Sequence, residues 1–377
     1  MIQMLDYFVA ILTILYALLL MAYRYWYSKL SIFKPTDISA PKTQFSIIIP
    51  ARNEAANIKA CVESILAQDY PKEAFEIIVM DDFSEDDTAF IVEALHHQYS
   101  NVHLLRLADY FKPNELTAFK KKAIEKAVLH AKGDWIITTD ADCKVPTQWL
   151  SLYHAYIIKE QPVFVAAPVM FIKTAGILNQ FQILDFLALQ GITAASVGAG
   201  KHSMSNGANL AFEKAAFIAV GGYQGVDHIA SGDDMFLKHK MKKTLAKPIG
   251  YLFHPDAIVL TDAMPTWKQF VMQRIRWSSK ARYYDDRSIF WVLLLVYLFN
   301  LSFLLMFILG DFKSLIIALA FKTFFELFFL DPVAQFFHKK EELRYFPLYQ
   351  PIHILYNIVA GLFGQIKMYT WKGRKVK

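Results

Sequence analysis

The chain has 377 residues, of which 55% are hydrophobic and 20% are charged, and its formal net charge at pH 7 is +6. This composition is too apolar for an ordinary soluble enzyme, while long polar segments exclude a wholly membrane-embedded protein. We expect a soluble domain joined to membrane spans, with a positive charge that suits anionic lipid or an anionic substrate. No Lys/Arg-rich tract with interleaved aromatic residues occurs, so nucleic acid is not an expected partner. The two cysteines, Cys61 and Cys143, have no disulfide or metal-ligand spacing.

An apolar stretch from Tyr7 to Tyr23 begins the chain, and Arg24, Lys29 and Lys34 follow it. In a secretory signal peptide the positive charge precedes the apolar run, so this order favours an uncleaved anchor over residues 1–30. The positive-inside rule then predicts an outside N-terminus and a cytoplasmic domain after the anchor.

Strand and helix patterns alternate over residues 41–260, which is typical of an α/β domain with a mostly parallel sheet. We see no internal repeat and no low-complexity linker in this region. The predicted strands are Phe45 to Ile49, Glu76 to Met80, Val102 to Arg106 and Trp135 to Thr139. The predicted helices are Ala55 to Ala67, a helix capped by Asp86 or Asp87 that runs towards Gln98, and Thr117 to Ala131.

Two acids, Asp140 and Asp142, follow the fourth predicted strand. Residues two apart in extended chain point to the same side, so both carboxylates should lie together at the carboxyl end of the strand. Open α/β sheets bind ligands at that edge. Like charges this close repel unless a cation or hydrogen-bond donors compensate, and a hard divalent cation bridging to phosphate oxygens is one such partner. The alternative is a turn with two solvated acids.

Other polar residues follow the first two strands. The segment Pro50 to Ile58 presents Arg52 and Glu54, and the second strand ends in Asp81 and Asp82. Because a parallel sheet brings these carboxyl ends to one edge, we expect the acids to converge on a single crevice.

The predicted helix before the fourth strand opens with Lys120, Lys121 and Lys122. Lysines at that place can neutralise phosphates as point charges. The alternative is a solvated helix face, and we expect it to hold for at least one of the three.

The C-terminal region, residues 289–377, is again apolar. Ile289 to Leu309 and Leu315 to Leu330 are predicted to form a helical hairpin around a short polar turn. The stretch from Pro347 to Ile366 either spans the membrane, is re-entrant or lies in the interface. If it spans, the basic tail that ends the chain lies outside, against the charge rule.

Seven motifs occur in a fixed order between Phe45 and Trp277. Together they resemble an inverting family 2 glycosyltransferase with a GT-A fold, which implies a Rossmann-like, mostly parallel sheet flanked by transmembrane helices. The resemblance is to the membrane-anchored branch that includes cellulose, chitin, hyaluronan and poly-N-acetylglucosamine synthases. The motifs are PARNEAANI, DDFSEDDT, KKKAIEKA, TDADC, NGANLAF, SGDD and QRIRW.

The resemblance implies a role for each of these segments. Asp140 and Asp142 would be the acids of the family's DxD motif, which holds Mg or Mn against the diphosphate of a nucleotide sugar. The acids after the second strand would contact the nucleoside. The implied donor-binding residues are Pro50, Arg52, Glu54, Asp81, Asp82, Lys120, Lys121 and Asp140.

In the family's inverting chemistry, a carboxylate takes the proton from the acceptor hydroxyl on the face of the sugar opposite the diphosphate. That base must come from a different segment than the metal acids. Asp234 matches the family's base, and Asp233 replaces the usual Glu beside it, which leaves its supporting role less defined. Asp233 could instead cap the helix predicted to run to Lys243.

The acceptor side would use Asn206, Gly207 and Asn209, in a tight turn, together with Gln273, Arg276 and Trp277 of a QxxRW motif. The motif lies on the amphipathic stretch Trp267 to Tyr284, within residues 261–288. Spacings of three and four place its residues on one helix face. Arg276 would meet the diphosphate or acceptor, and Trp277 would stack on a sugar. An interfacial helix with Trp and Arg at headgroup level is the alternative. His254 is a candidate extra metal ligand or a structural histidine.

The expected protein is therefore an integral membrane glycosyltransferase with a cytoplasmic catalytic domain. It would move a sugar from a nucleotide-sugar donor, expected to be UDP-linked, to a lipid-linked or membrane-delivered acceptor in envelope glycan or glycolipid synthesis. QxxRW is shared with processive synthases, so a polysaccharide synthase with a saccharide acceptor is the enzymatic alternative. A nucleotide-sugar-binding membrane protein without turnover is the non-enzymatic one.

Overall fold

The structure is a computed structural model that describes residues 2–35, 42–201, 204–280, 287–366, 369–371 and 374–376. The chain divides into two compact units, which we call the α/β unit and the helical unit. The α/β unit comprises Ser31–Ile172, Ser203–Asp262 and Thr370–Lys377. The helical unit comprises Met1–Leu30, Lys173–His202 and Ala263–Tyr369.

The strands and helices of the described residues are numbered in chain order. The strands are β1 (Phe45–Ala51), β2 (Phe75–Asp81), β3 (Val102–Arg106), β4 (Trp135–Thr138), β5 (Phe164–Ala166), β6 (Val169–Phe171), β7 (Leu210–Glu213), β8 (Ile249–Tyr251), β9 (Val259–Thr261), β10 (Tyr369–Trp371) and β11 (Arg374–Val376). The helices are α1 (Ile2–Ser28), α2 (Ile58–Leu66), α3 (Thr88–Gln98), α4 (Phe119–His130), α5 (Trp149–Glu160), α6 (Ile177–Gly198), α7 (Lys214–Ala219), α8 (Asp233–Thr244), α9 (Trp267–Ser278), α10 (Arg287–Ile308), α11 (Phe312–Phe336) and α12 (Phe346–Ile366).

A mostly parallel sheet forms the centre of the α/β unit, as the alternating pattern predicts. Its strand order is β3-β2-β1-β4-β7-β5-β8, and β7 runs antiparallel to both of its neighbours. Every residue of β2 is buried, and so is nearly all of β1. The centre of each strand is an apolar run, which is typical of a sheet that is covered on both faces. In the register, Ala51 pairs with Asp81 and Ile48 pairs with Thr138. The ends of β1, β2 and β4 therefore meet at one edge.

The helical unit collects α1, α6 and α9–α12. Within the described residues, three helices are long and apolar enough to cross a membrane, namely α1, α6 and α10. One side of α1 is buried through Tyr16, Leu20 and Tyr23, while Ile11 and Leu18 remain exposed. A helix that exposes large apolar side chains at this length suits a lipid environment.

The helical unit departs from the predicted domain boundaries. The helix α6 interrupts the predicted 41–260 domain, because its apolar surface packs on α1 and α11. Helix α9 is observed from Trp267 to Ser278 within the predicted 261–288 segment, and residues 281–286 of that segment lie outside the described residues. The predicted hairpin is observed as α10 and α11, and the Pro347 to Ile366 stretch forms the continuous helix α12.

Candidate active site

The two acids after β4 lie in a turn. The ladder of β4 with β1 and β7 ends at Thr138, which releases the chain from the sheet. The amide of Cys143 then donates to the carbonyl of Asp140 at 3.1 Å, which closes a four-residue turn. The extended geometry predicted for Asp140 and Asp142 is therefore wrong, and the turn sets where their carboxylates lie. Both side chains are half-buried.

Lys120, at the start of α4, connects this turn to a second acidic segment. Its Nζ lies 2.6 Å from Oδ1 of Asp140 and 3.6 Å from Oδ2 of Asp233. Burial lowers the pKa of Lys120, but the carboxylates of Asp140, Asp233 and Asp234 outweigh burial and hold that pKa above its ordinary value. Lys120 is therefore a charged ammonium that compensates acids from two separate parts of the chain.

Gly207 allows this ion-pair cluster to form. A Cβ atom at Gly207 would lie 3.0 Å from Oδ2 of Asp233 and 3.1 Å from Nζ of Lys120. The carbonyl of Gly207 accepts a hydrogen bond of 2.8 Å from the hydroxyl of Thr138, the last residue of β4. The amide of Ala208 donates to Oδ1 of Asn206 at 3.0 Å. The predicted tight turn is thus present, and it lies against the acids.

Asp233 and Asp234 occupy the first turn of α8. The preceding Gly232 has φ of +82°, a left-handed conformation that favours glycine, and it begins the helix in place of the predicted Asp233 cap. Both acids are buried, and the positive end of the helix dipole favours carboxylates there. One turn later, Lys238 donates to the carbonyl of Met204 at 2.9 Å. Burial lowers the pKa of Lys238 to about 7, although Asp234 raises it.

Arg52 holds the loops after β1 and β2 together. Its guanidinium is 7% exposed and donates to the carbonyl of Asp82 at 3.0 Å and to the carbonyl of Phe83. It also pairs with the carboxylate of Glu85 at 3.0 Å. The amide of Glu54 donates to the hydroxyl of Thr88 at 2.7 Å. These contacts give Arg52, a predicted donor-binding residue, a structural role in holding the shape of the loop.

Asp81 is the last residue of β2 and is buried. Its Oδ1 atom has no hydrogen-bond partner among the residues that the structure describes, while Oδ2 accepts a long bond of 3.4 Å from the amide of Ser84. A buried carboxylate oxygen without a partner is costly. Asp81 is thus suited to accept hydrogen bonds from a ligand.

Two predicted site residues have structural partners instead. Lys121 is fully buried, and its Nζ donates to the carbonyls of Val226 and Ile229 at 2.7 Å each. Helix periodicity explains the difference, because successive residues of α4 point about 100° apart and only Lys120 faces the acids.

Asn209 is the second of these residues. It is fully buried, and its Oδ1 accepts from the indole of Trp149 and the hydroxyl of Tyr153 at 2.9 Å each. Its Nδ2 donates to the carbonyls of Pro168 and Ala257 at 2.7 and 2.8 Å. These four bonds use the full capacity of the amide, so contact with an acceptor is not expected from Asn209.

The QxxRW residues lie on α9 in the helical unit. Gln273, Arg276 and Trp277 are half-buried. Within the described part of the chain, the guanidinium of Arg276 makes no hydrogen bond or ion pair. Arg276 is therefore a cation with no protein partner in that part of the chain.

Two residues of the site have side chains that suit a divalent metal. Asp140 and Asp142 supply hard carboxylate oxygens from one turn. No cluster of three His, Cys, Asp or Glu side chains that could hold a metal occurs in the described residues. Nδ1 of His254 accepts from the amide of Asp256 at 3.1 Å, which is a structural capping role. A metal on these acids would therefore need further oxygen ligands from the donor or water.

Two family matches cover this site and its surroundings. The sequence matches Glycosyl transferase family 2 over residues 46–220, and Glycosyl transferase family group 2 over residues 135–330, just over half of the chain. The chain belongs to the family 2 glycosyltransferases. The predictions of the family and of the α/β GT-A fold are confirmed.

Two curated relatives of the chain are named as a glycosyltransferase and as a glycolipid synthase. The chain is 24% identical over 63% of its length to the probable glycosyltransferase YdaM of Bacillus subtilis, covering 55% of that protein. It is 26% identical over 66% of its length to the β-monoglucosyldiacylglycerol synthase of Synechocystis, covering 50% of that protein. The chain thus spans about half the length of these curated relatives.

A solved structure has the same fold. The mannosyltransferase PcManGT from Pyrobaculum calidifontis, solved in complex with GDP-Man and Mn²⁺, superposes with a TM-score of 0.59 at 19% identity. The match covers 95% of this chain and 99% of that one.

Sequence reasoning missed two residues of the helical unit, Asp185 and Arg274. Their side chains form a buried ion pair with 2.6 Å between Nη2 and Oδ2. A signal was present, since Asp185 is the only charged residue in the 22 residues of α6. A lone acid in an apolar helix generally has a specific buried partner.

Proposed function

We propose that this glycosyltransferase moves a sugar, with inversion at the anomeric carbon, from a nucleotide sugar to an acceptor hydroxyl. The observation that carries the proposal is the cluster around Lys120. It joins Asp140, from the turn after β4, to Asp233, at the start of α8. The ammonium of Lys120 thus lies close to Asp140, which is proposed to hold the donor, and to Asp233, which is proposed to serve the acceptor.

The proposed proton acceptor is Asp234. As the acceptor oxygen forms its bond to the anomeric carbon, its proton passes to the Asp234 carboxylate. The bond between the anomeric carbon and the diphosphate oxygen breaks, and its electron pair leaves with the diphosphate. Asp233 supports this step by fixing Lys120, which lies 3.6 Å away.

The donor side of the proposal uses the remaining cluster. A bound Mg or Mn would neutralise charge on the diphosphate, with Asp140 and Asp142 as its protein ligands. Because Lys120 already contacts Asp140, its ammonium would lie beside that diphosphate and stabilise it further. Asp81 would accept hydrogen bonds from the nucleoside, and Pro50, Glu54 and Asp82 would shape the pocket wall.

For the acceptor we propose a lipid-linked or membrane-delivered hydroxyl, with the catalytic domain in the cytoplasm. Membrane delivery is supported by the three helices of the described residues that are long and apolar enough to cross a membrane. The Synechocystis relative is a β-monoglucosyldiacylglycerol synthase by name, which supports a lipid acceptor. In this proposal Asn206 and Gly207 border the acceptor, and the QxxRW residues Gln273, Arg276 and Trp277 take part in transfer.

The test incubates the purified full chain in detergent with radiolabelled UDP-glucose, UDP-N-acetylglucosamine, UDP-galactose or GDP-mannose and a membrane lipid extract. We expect label in the organic phase, dependent on Mg or Mn and lost on addition of a chelator. Label in a large polar product would instead indicate a processive polysaccharide synthase. The Asp234→Asn chain is the control for transfer by a contaminating enzyme. Transfer that is equal in this control would contradict the assigned mechanism.

A further inference from the structure

Arg274 lies between the residues of the QxxRW motif and contacts two of them. Its guanidinium carbon lies 4.3 Å from the centre of the Trp277 ring and 4.5 Å from that of Phe270. Its Nη1 donates to Oε1 of Gln273. Unlike the motif residues, Arg274 is buried, with 4% of its side chain exposed. It therefore contacts the functional positions from the interior of the helical unit.

Asp185 on α6 holds Arg274 in place. Its Oδ2 accepts from Nε of Arg274 at 2.9 Å and from Nη2 at 2.6 Å. Its Oδ1 accepts from the hydroxyl of Tyr356 on α12 and lies 3.8 Å from Nε2 of His353. The carboxylate is 2% exposed. Charge-assisted bonds to a planar guanidinium fix its orientation as well as its position.

This arrangement has a geometric consequence for the motif. With Nε and Nη2 donating to Asp185, the guanidinium of Arg274 directs Nη1 to Gln273 while its face lies against the ring of Trp277. Cation–π contacts are strongest when water is excluded, as it is around this buried side chain. The rotamers of Gln273 and Trp277 thus depend on an acid that belongs to another helix.

We propose that Asp185 and Arg274 are positioning residues, which hold Gln273 and Trp277 in the orientation that sugar transfer requires. The inference rests on the proposed role of the QxxRW residues in transfer. It adds Arg274, which occupies an unspecified position within the motif, and Asp185, which is distant from the motif in sequence. Misplacement of groups that orient a substrate can lower a rate by up to about 100-fold.

The test compares Arg274→Lys, Arg274→Gln, Asp185→Asn and the double variant Asp185→Asn/Arg274→Gln in the full detergent-purified chain. Arg274→Lys keeps the charge opposite Asp185 but lacks the fork that reaches Gln273. We expect it to lower turnover with the lipid extract by about 10-fold. Binding of UDP with Mn²⁺ should be unchanged. The double variant should lose no more activity than either single variant, because both act through one contact.

Glu342→Gln is the matched control for general damage to the helical unit. Glu342 is also a buried carboxylate of that unit, and it accepts from Lys173 and from Gln180 at 2.8 Å. A loss of turnover in Arg274→Lys no greater than in Glu342→Gln would overturn the proposal. Additive losses in the double variant would also overturn it. If Asp185→Asn does not fold, the comparison of Arg274→Lys with the control decides.

A second readout does not depend on transfer. In the chain labelled with 5-fluorotryptophan, the Trp277 resonance can be assigned by its loss in Trp277→Phe. We expect Arg274→Lys to shift this resonance and leave the signal of Trp149, which lies in the α/β unit, unchanged. An unshifted Trp277 signal would overturn the positioning role. A shifted signal in a chain that transfers no sugar from any donor would support positioning and reject the proposed function.

Discussion

One ion pair of the α/β unit and one ion pair of the helical unit differ in how far their side chains are exposed to solvent. In the α/β unit the ion pair of Lys120 with Asp140 is partly open, with side-chain exposures of 23% and 39%. In the helical unit the pair of Lys322 with Glu326 is closed, with exposures of 0% and 7%. Lys322 also donates to Gln350 at 2.7 Å, and Tyr16 donates to Glu326 at 2.6 Å.

The difference separates charges available to a ligand from charges used to join helices. A half-exposed pair can exchange partners with water or a diphosphate at modest cost. A closed pair in an apolar surrounding cannot, because removal of one partner leaves an uncompensated buried charge. We therefore propose that the chemistry takes place in the α/β unit and that the closed pairs of the helical unit serve positioning and helix assembly.

The largest expected effect on stability comes from removing the cation of the buried pair Lys322–Glu326. Lys322→Met should lower the free energy of unfolding by about 3–5 kcal/mol, because Glu326 stays buried without its cation. Lys322→Met/Glu326→Gln should recover part of that loss. Thermal unfolding in detergent measures both. Arg106→Ala, which breaks a pair with Glu93 exposed at 42% and 48%, should cost at most about 0.5 kcal/mol. Equal losses of unfolding free energy in Lys322→Met and Arg106→Ala would contradict the distinction between buried and exposed ion pairs.

The next effect concerns the base in the α/β unit. Asp234→Asn should lower turnover by about 100-fold or more, because the acceptor proton loses its base, while donor binding stays nearly intact. Asp142→Asn should weaken donor binding itself, and Asp233→Asn should fall between the two. Donor binding and turnover are measured side by side. Near-normal turnover in Asp234→Asn with none in Asp233→Asn would move the base to the neighbouring carboxylate.

A smaller effect is expected at Gly207. Gly207→Ala places a methyl group against the flexible ends of Lys120 and Asp233, so the chain should fold with about 1 kcal/mol less stability and turnover should fall about 10-fold. Gly133→Ala is the contrast, since its Cβ would lie 2.6 Å from the backbone of Phe45. Gly133→Ala should lower the free energy of unfolding by about 3 kcal/mol. Full activity in Gly207→Ala would argue against a catalytic role for the cluster.

The smallest expected effect is that of Glu85→Cys, which tests on which side of the membrane the α/β unit lies. Glu85 has 78% of its side chain exposed, and both native cysteines are buried, so Glu85→Cys adds one accessible thiol to the α/β unit. In intact cells this thiol should resist an impermeant reagent and should react after lysis. Labelling from outside would place the α/β unit on the other side and remove its access to cytoplasmic nucleotide sugars.

The sequence by itself determined the order of strands and helices in the first half of the α/β unit. Buried parallel strands need continuous apolar runs, and those runs stand out between polar turns, as in β1 and β2. The same reasoning brought Asp81 and Asp140 to one sheet edge, since parallel strands share their carboxyl ends. The N-terminal apolar helix could be predicted for a similar reason, because length and hydropathy identify such a helix without knowledge of its partners.

Only the tertiary structure decided which lysine of α4 faces the acids, because Lys120 and Lys121 differ by a rotation that depends on how the helix packs. It also decided that Asn209 is buried among four hydrogen-bond partners, since these partners lie 41 to 60 residues away from it in sequence. The pairing of Asp185 with Arg274 spans 89 residues and joins two helices. A local pattern carries no information about contacts of that separation. They depend on the packing of whole helices, which arises only when the chain has folded.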